Sequence, residues 1–152
     1  MAYEIRKIDI RTYGELVVEE ATASATIYPG ALVSVVNGAV TNHAVAGGFT
    51  PHKIAMSRAE LGELITDTYA NGDKVRINTP RAGDVYAIRL KASENVAKGD
   101  YLVSNGDGTF KKAPATAAYI LFRALDASNV ASVAYIRAEV VGPVYNPAAP
   151  ST

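Results

Sequence analysis

Residues 75–91 read VRINTPRAGDVYAIRLK, with strand-forming runs on either side of the turn residues 80–83. A second pair of such runs flanks Asn105-Gly106. β-Branched and aromatic residues favour strands, and Gly, Pro and Asn favour the turns between them. The pattern therefore predicts a β-hairpin at each of these two places.

The strand after the first turn indicates which side faces the core. Val85, Ala87 and Arg89 alternate with Tyr86, Ile88 and Leu90 along it. Successive side chains of a strand point to opposite faces. The face with the larger apolar residues, Tyr86, Ile88 and Leu90, is predicted to be buried.

The clearest turn chemistry lies earlier in the chain. The run Leu32–Val36 leads into Asn37-Gly38, and residues 39–44 return. Asn-Gly accepts the positive φ angles of a type I′ turn, which predicts a two-residue hairpin. Residues 30–38 and 99–106 share the order turn, strand, Asn-Gly, strand. This echo indicates either a duplicated β unit or two uses of one hairpin signal.

Together these patterns predict an all-β domain, a compact β-barrel or β-sandwich of about nine strands. At most one short helix is expected, at about 58–66, because Ser57 and Glu60 have the spacing of a capping box. An ordered loop is the alternative there.

Three regions are expected along the chain. Residues 1–26 are predicted to form an N-terminal strand or extended arm and a linker, and residues 27–143 the β-rich core. The Pro/Ala-rich residues 144–152 are predicted to be a loose C-terminal tail.

The composition excludes several classes of function. The chain has 152 residues, fifteen basic and fifteen acidic, with no cysteine and 49% hydrophobic residues. Neutrality argues against nucleic acid as a partner, and the missing cysteines exclude disulfides and thiolate chemistry. No apolar run reaches the roughly 18–20 residues that span a bilayer, and no signal-peptide core is visible. We expect no membrane partner and synthesis in a cytoplasm.

The chain carries no pattern typical of an enzyme. The two histidines, His43 and His52, are predicted to lie at the surface. The run Asn105–Thr109 lacks the glycine and the last acidic ligand of a calcium loop, so it is predicted to be a turn. We therefore expect no catalytic residues, cofactor or metal.

Tyrosine is the residue type that points to contacts. There are nine tyrosines, three phenylalanines and no tryptophan. Tyrosine combines a large apolar area with a polar tip and is enriched at interfaces, although it also favours strands. Candidate interface residues in the arm, the irregular loop and the tail are Tyr3, Ile5, Ile8, Ile10, Tyr13, Tyr69 and Tyr145.

Several segments resemble the capsid cement, or head decoration, proteins of tailed bacteriophages. The resemblance covers about residues 27–143 and consists of turns and strands rather than a catalytic signature. The segments that carry it are ITDTYANGDKV (65–75), Gly83-Asp84 with its following strand, VAKGDYL (96–102), ALDA (124–127), VVGP (140–143) and the upstream run that begins at Pro29.

The resemblance implies a non-enzymatic virion protein made in the cytoplasm of a bacterial host. Such proteins bind the outer surface of the expanded capsid, commonly as homotrimers, and cement neighbouring major capsid proteins. The arm at residues 3–13 is then the candidate for strand addition to a neighbour. The segment 56–68 is longer than in simpler members of that family. A tail or head-fibre module is the alternative function, and a small β-barrel enzyme or ligand-binding domain is a third.

Overall fold

The computed structural model describes residues 8–12 and 17–147, apart from the side chain of Glu60. These residues form a nearly all-β fold with one short 3-10 helix, Ala59–Leu61, which confirms the predicted fold class. The described strands number thirteen rather than about nine, because several of them contain only two or three residues. They are β1 (Asp9–Arg11), β2 (Val17–Ala23), β3 (Val33–Val36), β4 (Ala39–Asn42), β5 (Ile54–Ala55), β6 (Lys74–Thr79), β7 (Val85–Leu90), β8 (Asn95–Val96), β9 (Tyr101–Ser104), β10 (Phe110–Lys112), β11 (Ala118–Ala124), β12 (Ser128–Asn129) and β13 (Ala134–Asn146).

The larger sheet has six strands in the order β1-β7-β10-β9-β11-β13, and β13 also pairs with β7. The pairings therefore run in a ring through five of the strands. One junction of this ring, between β7 and β10, rests on the single pair Leu90–Phe110. The sheet is accordingly not a closed barrel, since most of that junction lacks ladder hydrogen bonds.

The second sheet has five strands in the order β3-β4-β2-β6-β5. An isolated bridge between Leu32 and Ile54 brings the start of β3 next to β5. In this sheet β2 pairs in parallel with β4, the second strand of the hairpin β3-β4. In the larger sheet β7 pairs in parallel with β10, the second strand of the hairpin β9-β10. The echo in the sequence thus extends to the strand pairing of both sheets.

The predicted hairpin at residues 80–83 is wrong. β6 and β7 lie in different sheets, so this segment carries the chain from one sheet to the other. The edges of both strands are already occupied: β6 pairs with β2 and β5, and β7 pairs with β13 on one side and with β1 and β10 on the other. The Arg81 N–H donates to the Asp84 carboxylate at 2.9 Å, and the Gly83 N–H donates to the Val140 carbonyl.

Both hairpins predicted at the Asn-Gly sites are present, with loops of different length. Asn37 and Gly38 have φ angles of 51° and 76°, and Val36 pairs with Ala39, which confirms the two-residue hairpin. Asn105-Gly106 begins the five-residue loop 105–109 of the second hairpin, which Ser104 and Phe110 close, and this confirms the turn predicted at Asn105–Thr109.

The main core is formed mostly by side chains of the larger sheet. Tyr86, Ile88 and Leu90 are buried there as predicted, beside Phe110 and Phe122. The rings of Phe110 and Phe122 meet edge to face at 5.2 Å, a favoured aromatic geometry. A second apolar cluster packs against the five-stranded sheet; it includes Ile27, Val40, Tyr69, Val75 and Ile77.

The segment 57–68 is an ordered loop, not the helix predicted at 58–66. Its single 3-10 turn ends at Gly62, which adopts a left-handed conformation with φ of 77°. The chain therefore reverses before a second helical turn forms, and Ile65 is buried whereas Leu61 and Leu64 are exposed.

Both ends of the described chain lie in paired strands. β1 pairs with β7, and β2 lies inside the five-stranded sheet, in the region for which a strand or arm and a linker were expected. Val144, Tyr145 and Asn146 belong to β13 and pair with β11, in the region predicted to be a tail.

Candidate interaction surfaces

The first candidate surface is a row of aromatic side chains at one end of β13. Tyr119 on β11 lies opposite Tyr145 on β13, with ring centroids 5.2 Å apart. Phe49, from the loop after β4, meets the Tyr119 ring edge to face, with ring centroids 5.4 Å apart. Phe49 and Tyr145 are more than half exposed, at 62% and 55%. We call Phe49, Tyr119 and Tyr145 the aromatic face.

The loop that presents Phe49 is held by two buried histidines. His43 Nδ1 lies 2.7 Å from the Ser104 hydroxyl oxygen, and His52 Nε2 donates to the Leu121 carbonyl at 3.0 Å. The His52 ring also meets Phe122 edge to face at 5.5 Å. Both histidines are only 5% exposed, so the prediction that they lie at the surface is wrong. The loop between them joins β4 and β5 of the five-stranded sheet, and each ring ties one end of it to the larger sheet, through Ser104 on β9 and Leu121 on β11.

Burial lowers the pKa of both histidines, because an apolar environment disfavours the charged imidazolium. Hydrogen bonding to the Phe49 backbone opposes this shift for His43, and the Leu121 carbonyl opposes it for His52. Both rings are therefore neutral at neutral pH, and their contacts with Ser104 and Leu121 fix the loop that carries Phe49 against the larger sheet.

The segments that build the aromatic face contain no charged residue. Residues 21–52, 113–122 and 140–152 are free of Asp, Glu, Lys and Arg, although these types make up 20% of the chain. Charged residues are depleted and Tyr and Phe are enriched at the centres of protein interfaces. The aromatic face thus has the composition of an interface centre.

The second candidate surface is formed by Leu61 and Leu64, which we call the leucine tip. These side chains are 68% and 67% exposed, more than the other large apolar side chains in the described part of the chain. Arg58 Nε donates to a Glu63 carboxylate oxygen at 2.6 Å, and the Leu64 N–H donates to Asp67 at 2.7 Å. These contacts hold the two leucines outward from the protein.

Aromatic side chains anchor the leucine tip from below. Tyr69 is 1% exposed, its hydroxyl donates to the Met56 carbonyl at 2.5 Å, and the Arg58 guanidinium lies 4.6 Å above its ring. The Tyr135 hydroxyl lies 2.8 Å from the Pro29 carbonyl and 2.9 Å from the Ile65 carbonyl. Burial raises the pKa of Tyr135 to about 12, so this hydroxyl stays protonated and can donate.

The predicted interface residues fall into three groups. Tyr145 is exposed and belongs to the aromatic face. Ile8 and Tyr69 are core residues, because apolar neighbours surround both and a backbone carbonyl satisfies the Tyr69 hydroxyl; Ile10 is partly buried against the same core as Ile8. Tyr3, Ile5 and Tyr13 lie outside the described residues.

Sequence reasoning missed Phe49, Tyr119, Leu61 and Leu64. The long uncharged run 21–52 was the available signal for Phe49. No local pattern predicts that the leucines are exposed. With helical spacing, Leu61, Leu64 and Ile65 would share one apolar face, and that face would be expected to be buried.

The described residues contain no group of three or more His, Asp or Glu side chains that could hold a metal ion. No helix in the part of the chain that the structure describes is long and apolar enough to cross a bilayer.

The fold and its exposed apolar side chains define a β-rich domain with two candidate interaction surfaces. Its structure is similar to the crystal structure of the head fiber gp8.5 N base in bacteriophage phi29, with a TM-score of 0.57 and 13% sequence identity. The match covers 84% of this chain and 95% of that chain. At this level of identity the likeness shows the shared fold alone. No protein-family model and no curated protein matches the sequence.

Proposed function

We propose that this chain is a non-enzymatic structural protein of the outer head surface of a tailed bacteriophage, with the major capsid protein as its partner. The observation that supports this most is the fold, which resembles the base of a phage head fibre along nearly the whole length of both chains. The pattern of turns at residues 65–75 and 96–102 supports the same class independently, through its resemblance to capsid cement proteins.

Two finer roles agree with this proposal. In the first, the protein decorates the expanded capsid and cements neighbouring capsid proteins. In the second, it is the base that attaches a fibre to the head, and the fold comparison favours this role. Both roles need a rigid domain with exposed contact surfaces and neither needs a catalytic site.

We further propose that the protein associates with itself, as a homotrimer, through the aromatic face. An uncharged surface is best covered by another uncharged surface, because an unpaired charge buried against it is costly. A second copy of this chain offers such a surface, and the balanced net charge removes long-range repulsion between copies.

Co-sedimentation of the purified protein with undecorated, expanded heads of the phage that encodes it tests the head-surface role. Saturable binding would support that role, and its stoichiometry would give the copy number. A gain in the heat resistance of the heads would favour cementing, whereas binding without such a gain would favour a fibre base. Absence of binding would exclude both.

Light scattering after size exclusion tests the self-association. We expect Phe49→Ser with Tyr145→Ser to lower the mass of the assembly. The matched control is Tyr101→Ser, which removes an exposed tyrosine, 49% accessible, that lies outside the aromatic face. A wild-type protein of monomer mass, or an unchanged mass for the double variant, would contradict the aromatic face as the self-association surface.

A further inference from the structure

We propose that the leucine tip is the element that docks on the head, by entering an apolar cleft of the major capsid protein that is rimmed by Lys or Arg. This inference rests on the proposed function and names the surface and the chemistry of its contact. It is carried by the exposure of the two leucines, the rigidity of their support, the charges around them and their distance from the aromatic face.

The leucines contribute little to the fold in their present position. Ile65 enters the core beside them, whereas Leu61 and Leu64 leave about two thirds of their surface in water. Water contact of apolar side chains is unfavourable, and large exposed apolar groups mark contact sites when they occur together. A partner that covers the two leucines would therefore gain the free energy of removing their apolar surface from water.

The support of the leucine tip fixes the leucines before any partner arrives. The left-handed Gly62 separates them, the Arg58–Glu63 pair closes the loop, and Asp67 accepts the Leu64 N–H. Below them, the Tyr135 hydroxyl reaches the Ile65 carbonyl. A rigid projection loses little conformational entropy on binding, which favours affinity.

The charges around the leucine tip define the rim of the partner cleft. In segment 57–73 the carboxylates whose side chains the structure describes are Glu63, Asp67 and Asp73, against one arginine, Arg58, which pairs with Glu63 and lies 3.8 Å from Asp73. An acidic rim is matched by a basic one, since like charges across an interface weaken binding. The partner surface is accordingly apolar at its centre and basic at its edge.

The leucine tip and the aromatic face lie at opposite ends of β13. Tyr135, near the start of this strand, contacts the loop of the leucine tip, and Tyr145, near its end, belongs to the aromatic face. Ten residues of extended strand span up to roughly 30 Å. One subunit can therefore hold a second copy at one end and the head at the other.

The test compares the binding of three full-length proteins to expanded heads by quantitative co-sedimentation. They are the wild type, Leu61→Ser with Leu64→Ser, and the control Val36→Ser, which changes an apolar residue that is 62% exposed on another strand. We expect the leucine variant to bind about 100-fold more weakly, from about tenfold for each leucine withdrawn from water. The control should bind like the wild type, and added salt should weaken wild-type binding.

The outcomes separate this inference from the proposed function. If the wild type and the leucine variant bind equally well, the leucine tip is not the docking element, although the head-surface role stands. If the wild type does not bind heads, both proposals fail. If the leucine variant loses assembly mass in solution, the leucine tip contacts a second copy instead, which also overturns the inference. Equal unfolding temperatures of the variant and the wild type establish that a loss of binding is not a loss of folding.

Discussion

Gly142 offers a sharp test of the paired strands β11 and β13. It lies opposite the irregularity between Ile120 and Phe122. A Cβ atom added at Gly142 would overlap the Ile120 carbonyl oxygen and lie 2.7 Å from the Val144 nitrogen. These neighbours are backbone atoms of paired strands, so they cannot rotate away as a flexible side chain could. Gly142→Ala should therefore force the two strands apart.

The size of the effect follows from the cost of overpacking. Inserting an extra carbon into a well-packed site costs about 1–3 kcal/mol, and the upper end applies because the overlap is with backbone. We expect Gly142→Ala to lower the free energy of unfolding by about 3 kcal/mol. For a chain of this length that corresponds to a fall in Tm of roughly 6–12 °C. Equilibrium unfolding in urea, followed by circular dichroism, measures the change directly.

Gly38→Ala is the matched control. Gly38 has a φ of +76° and no heavy atom within 4 Å of an added Cβ, so only the left-handed backbone opposes the substitution. This conformation costs an alanine about 1–2 kcal/mol. Surface substitutions usually change the free energy of unfolding by no more than about 0.5 kcal/mol. If Gly142→Ala lowers it by no more than that, the close approach of the two strands is refuted.

Three further predictions concern stability. Burial lowers the pKa of His43 and His52, so the unfolded chain binds more protons than the folded one in acid. The free energy of unfolding should therefore be at its full value above the ordinary histidine pKa of 6.5 and should fall as the pH drops below it. Urea unfolding at several pH values measures this change. Asp126→Asn should cost about 1–2 kcal/mol, because Asp126 accepts bonds from the Arg137 backbone and guanidinium in a partly screened setting. Hydrogen bonds from Arg137 lower the pKa of that carboxyl, so the difference from wild type should shrink in acid; a constant difference would argue against the ion pair. Tyr69→Phe should cost about 1–2 kcal/mol in thermal unfolding, since it leaves a backbone carbonyl without its donor, and a neutral result would contradict that hydrogen bond.

Local patterns were sufficient for part of the fold. The hairpin through Asn37-Gly38 was predictable because its turn depends on the φ preferences of two adjacent residues. The buried side of β7 was predictable because strand alternation separates Tyr86, Ile88 and Leu90 from their neighbours. Val85 and Ala87 are buried as well, since β7 is covered on both faces, and alternation within one strand carries no information on its second neighbour.

The candidate surfaces were less predictable. Of the residues singled out in the sequence, Tyr145 lies on the aromatic face, whereas Tyr69 and Ile8 lie in the core. A tyrosine in an irregular segment can point either way, and its direction depends on whether a carbonyl from another segment meets its hydroxyl. For Tyr69 that partner is Met56, thirteen residues away.

By itself the sequence determined the all-β class, the turn at Asn37-Gly38 and the uncharged character of residues 21–52, because each depends on local preferences or composition. Only the tertiary structure decided that residues 80–83 connect two sheets rather than close a hairpin, that both histidines are buried, and that Leu61 and Leu64 project outward. These outcomes depend on which strand edges pair with each other and which side chains occupy the core. Such competition joins segments far apart in the chain, and no local stretch of sequence records it.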